Sequence, residues 1–114
     1  MDYTYKAKVI SVYDGDTIRA DIDLGFGVWL RNQSIRLEGI NAPEVRGEEK
    51  ESGIVARDRL IDLLNSSSNE CVLKSHMYDD RGKFGRIIAD IWTDLEPYSL
   101  NETLVKEGLA ERYE

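Results

Sequence analysis

The chain has 114 residues, 41% hydrophobic and 32% charged, which fits one compact soluble domain and leaves no room for two ordinary ones. Its net charge of −7 argues against a general nucleic-acid binder, because phosphate binding depends on Lys and Arg displacing counterions, unless a few arginines and a metal gather positive charge at one point. A single cysteine, Cys71, excludes an internal disulfide framework and a multi-cysteine zinc cage. No run approaches the ~18 apolar residues of a membrane helix, and no signal-peptide core follows the opening Met-Asp-Tyr-Thr-Tyr-Lys, so a cytoplasmic or otherwise intracellular chain is expected.

In the first third, Tyr5, Ala7 and Val9 alternate with Lys6, Lys8 and Ile10, and the run ends at Asp14-Gly15-Asp16. Ile18, Ala20, Ile22 and Leu24 then alternate with Thr17, Arg19, Asp21 and Asp23, the period of two that marks a half-buried strand. Gly25-Phe26-Gly27 supplies a turn, and Val28 to Ile40 returns as one long or broken strand, giving a three-stranded meander. Pro43 ends that strand and begins a polar loop through Lys50. From about Ser52 to Asn65 the period becomes helical, with Ala56, Leu60, Leu63 and Leu64 on one face.

Ser66-Ser67-Ser68-Asn69 stops the helix, Cys71 to Met77 reads as a fourth strand and Arg86 to Trp92 as a fifth, joined by the turn-rich Asp79–Gly85. Ser99-x-x-Glu102 is a capping box opening a second helix, and Gly108 suits its left-handed exit. Three strands, a helix, two strands and a helix predict an α+β, mainly β chain, a five-stranded OB-fold Greek-key barrel with two helices in a single domain spanning 1–114.

The residues also exclude chemistries. With one histidine, His76, a histidine-based hydrolase is unsupported, and Gly82-Lys83 lacks the rest of a phosphate-binding loop. Asp21-x-Asp23 lacks the later ligands of a calcium loop and reads as a solvated strand face. Three segments remain, each at the end of a predicted strand: Asp14-Gly15-Asp16-Thr17, Arg36 through Glu44, and Gly82-Lys83-Phe84-Gly85-Arg86. Singly, each has a plain reading as an acidic hairpin turn or a surface arginine. Together they hold what phosphodiester hydrolysis requires: hard oxygen ligands for a divalent cation, a carboxylate to act on water, and guanidinium forks for the charged phosphoryl oxygens.

These segments, in this order and on this strand pattern, resemble the staphylococcal nuclease (thermonuclease) family, and Leu104 to Ala110 is similar to its last barrel helix and exit. The resemblance implies an OB-fold endonuclease that cleaves DNA and RNA with calcium and leaves a 3′-phosphate. It further implies that Asp16, Asn41 and the Ala42 carbonyl hold the metal, that Glu44 is the general base, and that Arg36 and Arg86 clamp the phosphate. Lys83 and Arg81 would contact substrate, while Asp14 and Thr17 would support the metal turn. The expected partner is nucleic acid, single-stranded by preference, and no membrane. The chain departs from the best-known members in carrying Asn41 where a carboxylate is common, in being acidic, and in ending at Glu114 without a helical tail, an end that would leave apolar surface for a second subunit in a homodimer. The alternative function is a catalytically weak or inactive nucleic-acid or protein binding module on the same barrel.

Overall fold

The computed structural model describes residues 3–79 and 85–113. Strand β1 spans Tyr3–Asp14, β2 Thr17–Gly25, β3 Val28–Leu37 and β4 Ile40–Asn41; a short 3-10 turn at Gly47–Glu49 leads into helix α1, Lys50–Asn65. Strands β5, Glu70–Asp79, and β6, Arg86–Trp92, precede helix α2, Leu100–Lys106, and the short strand β7, Glu111–Arg112. The five long strands close in the order β1-β2-β3-β6-β5, antiparallel except where β3 meets β6. The mainly β barrel with two helices expected from the sequence is the fold observed.

Alternation drives the closure. Ala7 and Val9 of β1, Ile18, Ala20 and Ile22 of β2, Ile35 and Leu37 of β3, Leu73 of β5, and Ala89 and Ile91 of β6 point inward and form one core. Leu60, Leu63 and Leu64 of α1 and Leu100 and Leu104 of α2 join it. Cys71 is buried in the same wall, and burial pushes its thiol up to about 12, so it packs as a small apolar group.

Several boundaries differ from the sequence reading, for local reasons. The long third strand breaks at Gly39, whose φ of 76° turns the chain before β4 resumes. Helix α1 begins at Lys50 rather than Ser52 because the 3-10 turn feeds it directly. Strand β5 starts one residue earlier and runs two residues further than Cys71–Met77. At α2, the Ser99 side chain accepts from the Glu102 backbone N–H, the N-cap half of the expected capping box, while the Glu102 carboxylate pairs with Arg112.

Two long-range ties hold the loops that leave the barrel. Asn101, buried on α2, accepts from the Ile91 N–H at 3.1 Å and donates to the Glu38 and Ala89 carbonyls at 2.9 and 3.2 Å. One side chain thereby fastens α2 to both β6 and the β3–β4 turn. Strand β7 pairs with β4, Asn41 against Glu111, and Arg112 reaches back to Glu102 on α2. Asn101→Ala should remove the side-chain partner of the Ile91 N–H and the Glu38 carbonyl, the Ala89 carbonyl keeping the Glu38 N–H, and cost roughly 2–4 kcal/mol, since each unpaired buried polar group costs about 1–3. Urea unfolding with a midpoint equal to the parent's would contradict that assignment.

Candidate active site

At one end of the barrel, β1 runs into β2 through Asp14-Gly15-Asp16. The extra residues Ile10 and Tyr13 interrupt the β1–β2 register just before this turn, and bulges of this kind bend a strand and re-aim its end. Asp14 and Asp16 are both buried, each only 6% exposed. The Asp14 Oδ1 accepts from the Asp16 N–H at 3.0 Å, closing the turn on itself. Thr17 Oγ1 donates to Asp16 Oδ1 at 3.1 Å.

The other oxygen of Asp16 reaches outside its own hairpin. Its Oδ2 accepts from the Ala42 N–H at 2.8 Å, so a carboxylate on the first turn fixes the loop that follows β4. Arg36 stands opposite Thr17 across the β2–β3 ladder, and its Nη1 lies 3.2 Å from Asp16 Oδ2. The same guanidinium bonds the Leu37 carbonyl at 3.2 Å and reaches toward Asn41 Oδ1, 3.4 Å from Nη2. Arg36 is thus held as a half-buried fork before any ligand arrives.

Arg86 is exposed at the start of β6, with no side-chain partner among the described residues. Parallel pairing sets Arg36 beside Ile88, so Arg36 and Arg86 share the outer face, two residues or roughly 7 Å apart along the strand direction. Glu44 is likewise exposed, and its charge is felt at Asp14. Burial first, then the Asp16 carboxylate and the Glu44 charge, push Asp14 up to about 6, against the pull of the Asp16 N–H. Among the described residues, two buried carboxylates thus share this corner beside the Arg36 guanidinium, with the Glu44 charge within electrostatic reach.

Hard oxygens of Asp16, Asp14 and Asn41, in a corner with excess negative charge, match the donor chemistry of a hard divalent cation. Among the described residues no three His, Cys, Asp or Glu gather closely enough to hold a metal by themselves. A cation here would therefore draw also on backbone carbonyls, water and substrate oxygens. Beside this corner opens a cleft of about 520 Å³ between Asn41–Glu44, the start of α1 and the exit of α2, with Glu49, Glu51 and Glu111 in its walls.

The structure brings Asp14, Asp16, Thr17, Arg36, Asn41 and Ala42 into one bonded cluster, with Glu44 and Arg86 exposed at its margins. Arg81 and Lys83 lie outside the described residues. His76, a residue with no partner visible in the sequence, pairs with Asp90 at 2.7 Å.

Small residues that bring the elements together escaped the sequence reading. A Cβ on Gly15 would lie 2.8 Å from the Ala42 Cβ and 3.0 Å from the Ala56 Cβ. At Gly53, within α1, a Cβ would overlap the Glu44 carbonyl and the Val45 nitrogen. The available signal was Gly53 itself, since a glycine inside a helix costs about 1 kcal/mol and marks a close approach when it is kept there.

With this geometry in place, comparison with known proteins is direct. A family model described as staphylococcal nuclease homologue matches residues 34–114, which include Arg36, Asn41, Glu44 and Arg86. The thermonuclease of Staphylococcus hyicus is 32% identical over 116 aligned positions, taking in 96% of this chain and 59% of that protein. The chain belongs to the staphylococcal nuclease family, and it spans less than two thirds of that relative's length.

Gly53→Ala separates helix propensity from packing. In an open helix the change would stabilise by about 1 kcal/mol. Here the methyl must displace the Glu44 carbonyl, and a loss of roughly 1–3 kcal/mol is expected in chemical denaturation. A midpoint at or above the parent's would remove the close approach of α1 to the Glu44 segment.

Proposed function

We propose that this chain is a calcium-dependent endonuclease that hydrolyses phosphodiester bonds of DNA or RNA. The observation that carries the reading is the convergence of Asp16, Arg36, Asn41 and Ala42, with Asp14 behind them and Glu44 alongside. Family membership and the S. hyicus thermonuclease support the same reaction class.

In this reading Asp16, with Asn41 and the Ala42 carbonyl, would hold a divalent cation that, when bound, polarises the phosphoryl oxygens. Asp14 and Thr17 fix the Asp16 carboxylate by way of its own N–H and Oδ1. Glu44, exposed and so free to meet water, accepts the proton of the attacking water. Arg36 presents a fork already oriented by Asp16, Leu37 and Asn41, and Arg86 closes on the phosphate from the neighbouring strand. Lys83 and Arg81 add phosphate contacts. A single strand suits the site better than a duplex, because its charge density is lower where Glu49, Glu51 and Glu111 wall the adjacent cleft.

Glu44→Gln, Arg36→Ala and Arg86→Ala should each lower turnover at least ~100-fold while circular dichroism stays parental. The assay is cleavage of single-stranded DNA with calcium or with chelator. No cleavage by the parent across calcium, magnesium and manganese would defeat the enzyme reading, and binding without cleavage would favour the binding module.

Asn41→Asp tests the metal assignment separately. A carboxylate adds a full negative charge beside Asp16, so half-saturation by calcium should shift to a lower concentration in calorimetry. Equal calcium affinity in parent and variant would take Asn41 out of the metal site.

A further inference from the structure

The β2–β3 hairpin extends to the end of the barrel opposite Asp16, where Gly25 pairs with Val28. Its outer half exposes Leu24, Phe26, Val28, Trp29 and Leu30, and Phe26 is 105% exposed, wholly in solvent. Five exposed apolar side chains gathered on one hairpin mark a docking surface more often than an ordinary exterior, and they lie on both of its faces, Leu30 opposite Ile22 and Trp29 opposite Asp23. The backbone agrees with the side chains. Strand β3 pairs with β2 along its length but meets β6 only from Ile35 to Leu37, so among the described residues no strand covers the outer edge of Val28–Arg31. An uncovered apolar edge is a template for another strand.

We infer that this edge is where two copies of the chain pair, β3 against β3 in antiparallel sense about a two-fold axis. Three observations select a second copy. First, Arg31 stacks over its own Trp29 at 4.9 Å, and pairing centred on Leu30 sets Trp29 directly opposite Arg31 of the partner subunit, so the patch complements itself.

Second, the charges along the hairpin balance locally: Arg31 pairs with Asp21 at 3.1 Å, and Arg19 and Asp23 offset each other in sign. Two chains of net charge −7 repel over most of their surface but not here. Third, the free edge has ends. Gly25, Phe26 and Gly27 turn the chain with positive φ on one side, and the irregularity at Asn32, φ 54°, breaks the register on the other. A stretch that short is consumed by one symmetric partner, which yields a closed pair rather than a growing sheet.

Sedimentation over a dilution series from millimolar to sub-micromolar chain should show a concentration-dependent species of twice the 13.0 kDa chain mass. Leu30→Asp and Leu30→Lys, each alone, place like charges opposite one another and should abolish that species, whereas mixing the two variants should restore it as a one-to-one pair. Leu30 is 41% exposed, so both variants should keep the parental fold; Phe26→Ser at the fully exposed tip gives a second route, with a weakened pair expected. A single chain mass at every concentration overturns the inference. So does a dimer indifferent to Leu30 and Phe26, open-ended growth, or a monomer that floats with phosphatidylcholine vesicles through Phe26.

Discussion

The Asp16 carboxylate joins three parts of the chain that are far apart in sequence. One oxygen takes the Thr17 hydroxyl within its own turn, and the other is shared by the Ala42 N–H and the Arg36 guanidinium. Placing a carboxylate in a site only 6% exposed is costly unless its lone pairs are met, and here each oxygen has a donor. The consequence is geometric as well as energetic. The first hairpin turn, the end of β3 and the loop beyond β4 are fixed relative to one another, and each carries a residue of the proposed site.

That arrangement requires close approach, and small side chains permit it. Gly15 lies against Ala42 and Ala56, and Gly53 lets α1 pass the Glu44 carbonyl, so turn, loop and helix meet without a gap. Asn101 and β7 act on the same loop from the far side, through Glu38 and Asn41. The loop carrying Asn41, Ala42 and Glu44 is therefore braced from three directions. The two arginines differ accordingly. Arg36 is oriented by the brace, whereas Arg86, exposed at the start of β6, has no side-chain partner among the described residues.

Charge is divided across the molecule in a way the net value of −7 conceals. The site holds buried carboxylates that a cation would relieve, the cleft beside it is lined by glutamates, and the exposed hairpin at the opposite end is locally balanced. In the proposed function, affinity for a cation, entry of a polyanion and pairing of chains would thus fall on different surfaces. A bulk isoelectric point describes none of them.

Much of this could be read directly from the residues. Alternation in β1 and β2, the helical face of Ala56, Leu60 and Leu63, and the N-cap at Ser99 are local patterns, set by side-chain periodicity and by hydrogen bonds within a few residues, and each reappears in the fold. The residue types around Asp16, Arg36 and Glu44 were equally legible, because the chemistry of a ligand or a base is a property of the side chain. The parallel meeting of β3 with β6, the two-residue pairing of β4 with β7, the service of Asn101 and the need for glycine at 15 and 53 were not. Each depends on atoms brought together from distant parts of the chain, and no local pattern encodes such a distance. The sequence determined which groups this protein owns and which elements they sit on; only barrel closure decided that Asp16 would bond Ala42 and Arg36, because that bond exists only once β1, β3 and the loop after β4 occupy the same end of one barrel.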